Sequence, residues 1–272
     1  MQDYTKFRVF TILIAILLAV ALIATVRLVS VLLERSAADR GYRDLRQFAP
    51  DDYYAEQVIE SGPGQLIHGV TLDVSVNDDN EEDDDEDDEE EQVPPPGIIL
   101  EPGADLIDIN SHYAGWIKIP ETRVDYPMVQ FDNTRYLNTT FWGTHNGAGT
   151  LFLDERNPLQ FNGSFTIIYG HNSRTGGMFG SLNRYTSADY MLRHPDITIN
   201  TRDGEVLTYS VIAAFQTTIY DNLFTLFDAD EGLIREYFTN HGAPSYSINY
   251  LALSTCVTSN SDDDRFLVLA AR

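Results

Sequence analysis

One cysteine in 272 residues excludes a disulfide within the chain. With no two histidines at metal-ligand spacing it also excludes a thiolate or histidine zinc site, so neither metal nor cofactor is predicted. Basic residues are scarce as well: 18 Lys and Arg stand against 42 Asp and Glu, a formal charge of −24. Such a chain repels phosphates, which excludes nucleic acid as a partner. The imbalance is concentrated in residues 78–91, where 13 of 14 positions are acidic. The remainder, in a sequence 43% hydrophobic and 11% aromatic, has material for one core, and one domain with appendages is expected.

Charge is wholly absent from residues 9–26, which are rich in Leu, Ile, Val and Ala and bounded by Lys6, Arg8 and Arg27. As a helix this run spans about 27 Å, close to a hydrocarbon core. It exceeds the about 7–15 apolar residues of a signal peptide, and Ala19-Val20-Ala21 lies in its middle. An uncleaved transmembrane anchor over 9–26, after a short tail of residues 1–8, is therefore predicted. Arg27, Arg35, Arg40, Arg43 and Arg46 follow the span while two basic residues precede it, so the positive-inside rule places the C-terminal part in the cytoplasm. Residues 27–76 form a juxtamembrane segment, helical over 30–47, that either prolongs the membrane helix or packs on the domain. Its apolar positions are Val31, Leu32, Leu33, Tyr42, Leu45 and Phe48. Residues 77–97, acidic and then Pro-rich, read as a disordered, self-repelling spacer. The remaining domain, 98–272, gains structure from about Leu106.

Short β-rich runs separated by turn residues recur along that domain. They cover residues 116–119, 128–131, 150–153, 165–169, 197–199, 206–218, 249–254 and 266–270. Eight strands at this spacing predict a mainly β fold, a closed eight-stranded barrel. Two helices interrupt it, one over 178–193 broken near Thr186 and one over 229–241. The second carries Leu233, Ile234, Tyr237 and Phe238 as a core-facing stripe, with Asp228 as N-cap.

Cys256 stands where the alternating run ending Leu253-Ser254-Thr255-Cys256 gives way to a polar loop. The loop is short enough for Arg265 to re-enter at the same rim. A fixed cation beside a thiol favours thiolate and stabilises an oxyanion. Period-two counting puts Ala252, Ser254 and Cys256 on one strand face, whose small side chains leave room for a groove. The plain alternative is a small buried hydrophobe. For a base, His171 ends the run Phe165–Tyr169, where Gly170 permits a sharp exit to the rim. His68, His112, His145, His194 and His241 are expected on the surface.

With these residues in view the chain resembles class B sortases, membrane-anchored cysteine transpeptidases of Gram-positive bacteria. The resemblance runs from about Ile109 to Arg272. It rests on Gly115-Trp116-Ile117-Lys118-Ile119-Pro120, Asp125-Tyr126-Pro127-Met128-Val129-Gln130, Tyr136-Leu137-Asn138, Tyr169-Gly170-His171-Asn172, Met178-Phe179-Gly180, and Leu253-Ser254-Thr255-Cys256 with Arg265. It implies a sortase-type barrel with peripheral helices and cleavage after the threonine of a C-terminal sorting signal on an exported protein. The acyl group then passes through a thioester to an amine, such as a peptidoglycan cross-bridge or a pilin lysine. The resemblance gives catalytic roles to Cys256, His171 and Arg265, and substrate contacts to Asn133, Leu137, Leu223, Phe224 and Ser254. It also places the catalytic domain outside the cell, against the arginine count. One departure is that Val257-Thr258 follows the cysteine where relatives often carry an acid; Asp262, Asp263 and Asp264 come later.

Two other readings fit the same residues. A thiol peptidase would release proteins by hydrolysis, and added amine would not divert its product. A membrane-tethered peptide-binding domain would keep its function in Cys256→Ala.

Overall fold

A computed structural model describes residues 2–50, 105–173, 175–257 and 261–272. The acidic spacer, His68 and residues 258–260 of the loop after Cys256 lie outside them. Eight strands form: β1 Tyr113–Lys118, β2 Asp125–Val129, β3 Leu151–Leu153, β4 Phe165–Tyr169, β5 Asp196–Thr201, β6 Val206–Thr218, β7 Tyr250–Cys256 and β8 Asp264–Ala271. Each predicted run overlaps one of them. The sheet closes in the order β1-β2-β3-β4-β7-β8-β6-β5, with β5 pairing back to β1. The β2–β3 and β4–β7 pairs are parallel. Closure leaves no open edge to recruit another chain.

Strand parity divides the side chains. In β4, β7 and β8 the residues Phe165, Ile167, Tyr250, Ala252, Leu267, Leu269 and Ala271 join one apolar cluster with Leu223, Leu226, Ile234 and Phe238. The last four come from the 3-10 helix Asn222–Asp228 and from α4, Glu231–Asn240. That strand face is the outside of the barrel, roofed by the β6–β7 connection, and the alternate residues face inward. Each fully buried Ile or Phe there contributes about 1.5–3 kcal/mol.

The helices differ from expectation in detail. Asp230, not Asp228, caps α4, its carboxylate accepting from Leu233 N–H, because the preceding 3-10 helix already uses Asp228. Leu233 faces outward, 52% exposed, while Ile234 and Phe238 are buried. The segment 178–193 divides at Ser187, the N-cap of α3, Ala188–Arg193, after a 3-10 helix Leu182–Thr186. His194 is buried rather than at the surface; Nδ1–H donates to Pro120 C=O, and the ring packs on Tyr190.

Helix α1, Gln2–Leu45, which precedes the short α2, Leu106–Ile109, has two parts. By length and composition it is apolar enough to cross a membrane, and between residues 16 and 33 its described Leu, Ile and Val side chains are exposed. Farther on, Ala38, Tyr42 and Leu45 are buried against the barrel, the i, i+4, i+7 stripe of a docked helix. The helix is continuous through Leu45, and its last turns pack on the barrel. Of its apolar positions, Tyr42 and Leu45 make the contact and Val31, Leu32 and Leu33 do not.

Candidate active site

Cys256 ends β7, and the β7–β8 ladder sets it directly opposite Arg265. Residues paired in an antiparallel ladder project from the same face, so the thiol and the guanidinium share the outer face with Ser254 and Leu267. Ala252 and Ser254 lie beneath the roof, while Cys256 is exposed. The groove expected along the small-residue face therefore begins only at Cys256, because α4 and the 3-10 helix before it fill the space over the earlier positions. Arg265 is held by its own turn, Nη1 donating to the carbonyls of Asp262 at 2.6 Å and Asp264 at 2.9 Å.

The parallel β4–β7 ladder pairs Tyr169 with Ser254, and Gly170 N–H extends it by donating to Ser254 C=O at 3.1 Å. His171 follows Gly170, two residues past the Tyr169–Ser254 pair, as Cys256 is two residues past Ser254, so both stand at the same end of the β4–β7 ladder. A Cβ on Gly170 would stand 2.3 Å from Leu151 Cδ2 and 2.7 Å from Phe179, so only glycine lets the chain leave β4 here. Beyond it the loop folds back, with the N–H groups of Ser173 and Phe179 both donating to His171 C=O.

The imidazole is fixed by a separate segment: Nε2 is hydrogen-bonded to the backbone carbonyl of Leu137. A carbonyl only accepts, so Nε2 carries the hydrogen, and in the neutral ring Nδ1 is the basic nitrogen. Gly149, at φ +62, underlies that carbonyl. A Cβ there would meet Tyr136 O at 2.6 Å, Leu137 O at 2.7 Å and His171 Cδ2 at 3.1 Å.

Below this layer lies a polar cluster that sequence reading missed. Asp154, fully buried, receives Arg156 Nε and Nη2, each at 2.8 Å, and Tyr169 Oη at 2.9 Å. The Arg156 guanidinium lies 4.1 Å from the Phe227 ring centroid and reaches Phe224 C=O at 3.4 Å. Burial pushes the Asp154 carboxyl up. The hydrogen bonds and charge of Arg156 and the Tyr169 hydroxyl outweigh it and hold the group below the usual carboxylate range. The same burial and the adjacent carboxylate push the Tyr169 phenol well up. Asp154 follows a short strand and precedes Glu155-Arg156-Asn157, a pattern that reads as an ordinary polar turn.

The five expected substrate contacts differ in placement. Leu137 is 38% exposed and offers its carbonyl to His171. Asn133 accepts from Glu155 N–H at 2.9 Å. Phe224 is half-buried, Leu223 is fully buried in the outer cluster, and the Ser254 hydroxyl is buried without a hydrogen-bond partner. Among the described residues no three His, Cys, Asp or Glu side chains are grouped to hold a metal ion.

A thiol and an arginine facing each other at the rim of a closed eight-stranded barrel, with a histidine on the adjoining strand end, define a family. The sortase domain model matches residues 117–272, more than half the chain, and the chain belongs to the sortase family. Within it the similarity is to class B. The chain is 38% identical over 117 residues to Sortase B of Listeria monocytogenes, a match covering 42% of this chain and 46% of that protein. It is 30% identical over 176 residues to Sortase B of Staphylococcus aureus, covering 60% and 71%. The solved Staphylococcus aureus sortase B–substrate complex superposes with a TM-score of 0.55 at 28% identity, over 61% of this chain and 82% of that one.

Proposed function

We propose that this chain is a cysteine transpeptidase of the cell envelope that cleaves sorting signals and joins the acyl fragment to an amine. The observation that supports the reading is the β7–β8 register that pairs Cys256 with Arg265, beside a β4–β7 ladder that ends two residues before His171. The Cys256 sulfur attacks the threonyl carbonyl carbon, and Arg265 stabilises the oxyanion. The C–S bond formed in the attack persists as the C–N bond breaks, and His171 gives the departing amine the proton that the Cys256 thiol has lost. An incoming amine then attacks the thioester, His171 takes its proton, and the C–S bond breaks to leave the new amide, with that proton returned to the Cys256 sulfur.

The acyl donor lies along the outer face between Asn133 and Leu137 on one side and Phe224 on the other. Leu223 acts from the core by holding Phe224 in place. Ser254, covered by the roof, does not join these contacts. Sorting-signal peptides and a cell-wall or pilin amine are the partners. The apolar part of α1 crosses the membrane once, with the catalytic domain outside.

The test incubates the full chain in detergent with a panel of sorting-signal peptides, with and without added amine, and follows products by mass spectrometry. A thioester and an amine-ligated product are expected, and Cys256→Ala should lower their rate by about 10⁴-fold or more. Hydrolysis that ignores added amine would replace this reading with a thiol peptidase. Placement has its own measurement, because Cys256 is exposed and is the only cysteine. A membrane-impermeant maleimide on intact cells should label it, and labelling only after lysis would reverse the orientation.

A further inference from the structure

The second half of α1 does more than rest on the barrel. Tyr42 is buried beneath the loop 136–150, and its hydroxyl donates to Gly149 C=O at 2.7 Å. The same oxygen accepts from Phe141 N–H at 3.1 Å and lies 2.9 Å from Thr150 Oγ1. Asn146 Nδ2 donates to Glu34 C=O at 2.9 Å, a second polar tie between the loop and the helix. The helix also approaches closely at Gly41, where a Cβ would stand 2.7 Å from the Trp142 ring.

What this loop holds is the carbonyl that fixes the imidazole. Gly149, whose C=O takes the Tyr42 hydrogen bond, is packed against both Leu137 O and the His171 ring. Thr150 N–H, one residue on, donates to Tyr136 C=O at 3.0 Å. A single phenol thus joins the helix to the peptide unit that touches His171.

We propose that Tyr42 is a positioning residue for His171. Through Gly149 it holds the Leu137 carbonyl where it accepts from Nε2–H, which keeps Nδ1 as the proton-exchanging nitrogen and couples the apolar N-terminal helix to the catalytic rim. The proposal rests on His171 being the catalytic base and deepens that reading. Tyr42 touches no reacting atom. A Phe in its place keeps the ring packing on Tyr126 and Trp142 and removes only the hydroxyl.

The experiment uses the full chain in lipid nanodiscs with ¹⁵N-labelled histidine rings, and reads the His171 tautomer from two-bond ¹⁵N–¹H correlations assigned with His171→Gln. The wild type should show the Nε2–H form. Tyr42→Phe should show mixed tautomers and an about tenfold lower kcat for amine transfer, with KM within about twofold. Gly41→Ala, which keeps every polar group and wedges a methyl against Trp142, should move the His171 signals the same way. Unchanged His171 signals in both folded variants would overturn the proposal. So would a kcat loss without a tautomer change, since that is what a merely structural role gives. A tautomer shift in a wild-type background that turns over no peptide would uphold the coupling and overturn only the transpeptidase reading.

Discussion

Cys256 and His171 reach the same rim by different means. The cysteine is the last residue of a ladder in which seven consecutive pairs join β7 to β8, and that ladder fixes its neighbour, Arg265, without help from any side chain. The histidine has already left its strand. Its ring direction depends on a glycine exit, on the Leu137 carbonyl 34 residues away in sequence, and on a loop clamped by Tyr42, 107 residues from its contact at Gly149. The proposed nucleophile, on a regular strand end, is placed by backbone pairing. The proposed base, on a loop, has to be held by tertiary contacts, and those are the points where substitution should uncouple chemistry from folding.

The largest expected break in that contrast is Gly149→Ala. A non-glycine residue held at a left-handed φ costs about 1–3 kcal/mol, and here the new methyl also displaces the Leu137 carbonyl and the His171 ring. A shift of about an ångström in a catalytic group lowers the rate by about 10²-fold. Gly143→Ala is the matched control, because Gly143 also has a positive φ, +81, but a Cβ there meets nothing within 4 Å. It should show the backbone cost in thermal unfolding and little change in kcat. Equal kcat losses in the two variants would mean that the close approach of Gly149 to the Leu137 carbonyl and the His171 ring does not set the rate.

The contrast also marks where the sequence could be read. Short β-rich runs bounded by turn residues are a local signal, and they located all eight strands. The short return after Cys256 was enough to place Arg265 opposite it, and Gly170 marked the strand exit before His171. Contacts between distant segments leave no such trace. Nothing in residues 27–76 said that Tyr42 would sit beneath the loop 136–150. Nothing around residue 256 said that α4 and the 3-10 helix before it would roof Ala252 and Ser254. The misplaced cap has a similar origin. Asp228 and Asp230 are equivalent as N-cap chemistry, and only the 3-10 helix that consumes Asn222–Asp228 decides between them. His194 looked like a surface histidine because its acceptor, Pro120 C=O, is 74 residues away.

Asp154→Asn sharpens the comparison with a smaller effect, because the carboxylate braces both means of placement from below. It binds Tyr169, two residues before His171, and it anchors Arg156, which reaches the turn carrying Phe224. Charge-assisted hydrogen bonds are worth about 1.5–3 kcal/mol each. Because Asn retains part of the network, a loss of about 2 kcal/mol at neutral pH is expected in chemical denaturation. The sign of the pH dependence follows from the lowered Asp154 carboxyl. A group whose folded value lies below its unfolded value contributes stability that is complete above the unfolded value, about 3.9 for Asp. That stability is lost as pH falls through the lower folded value. The gap between wild type and Asp154→Asn should therefore be constant from pH 8 to about 5 and close in acid below the unfolded carboxylate range. A gap that instead widened in acid would mean that Asp154 is protonated in the folded protein and donates to its neighbours. The Arg156 fork would then brace the Phe224 turn without the charge that the geometry assigns to it.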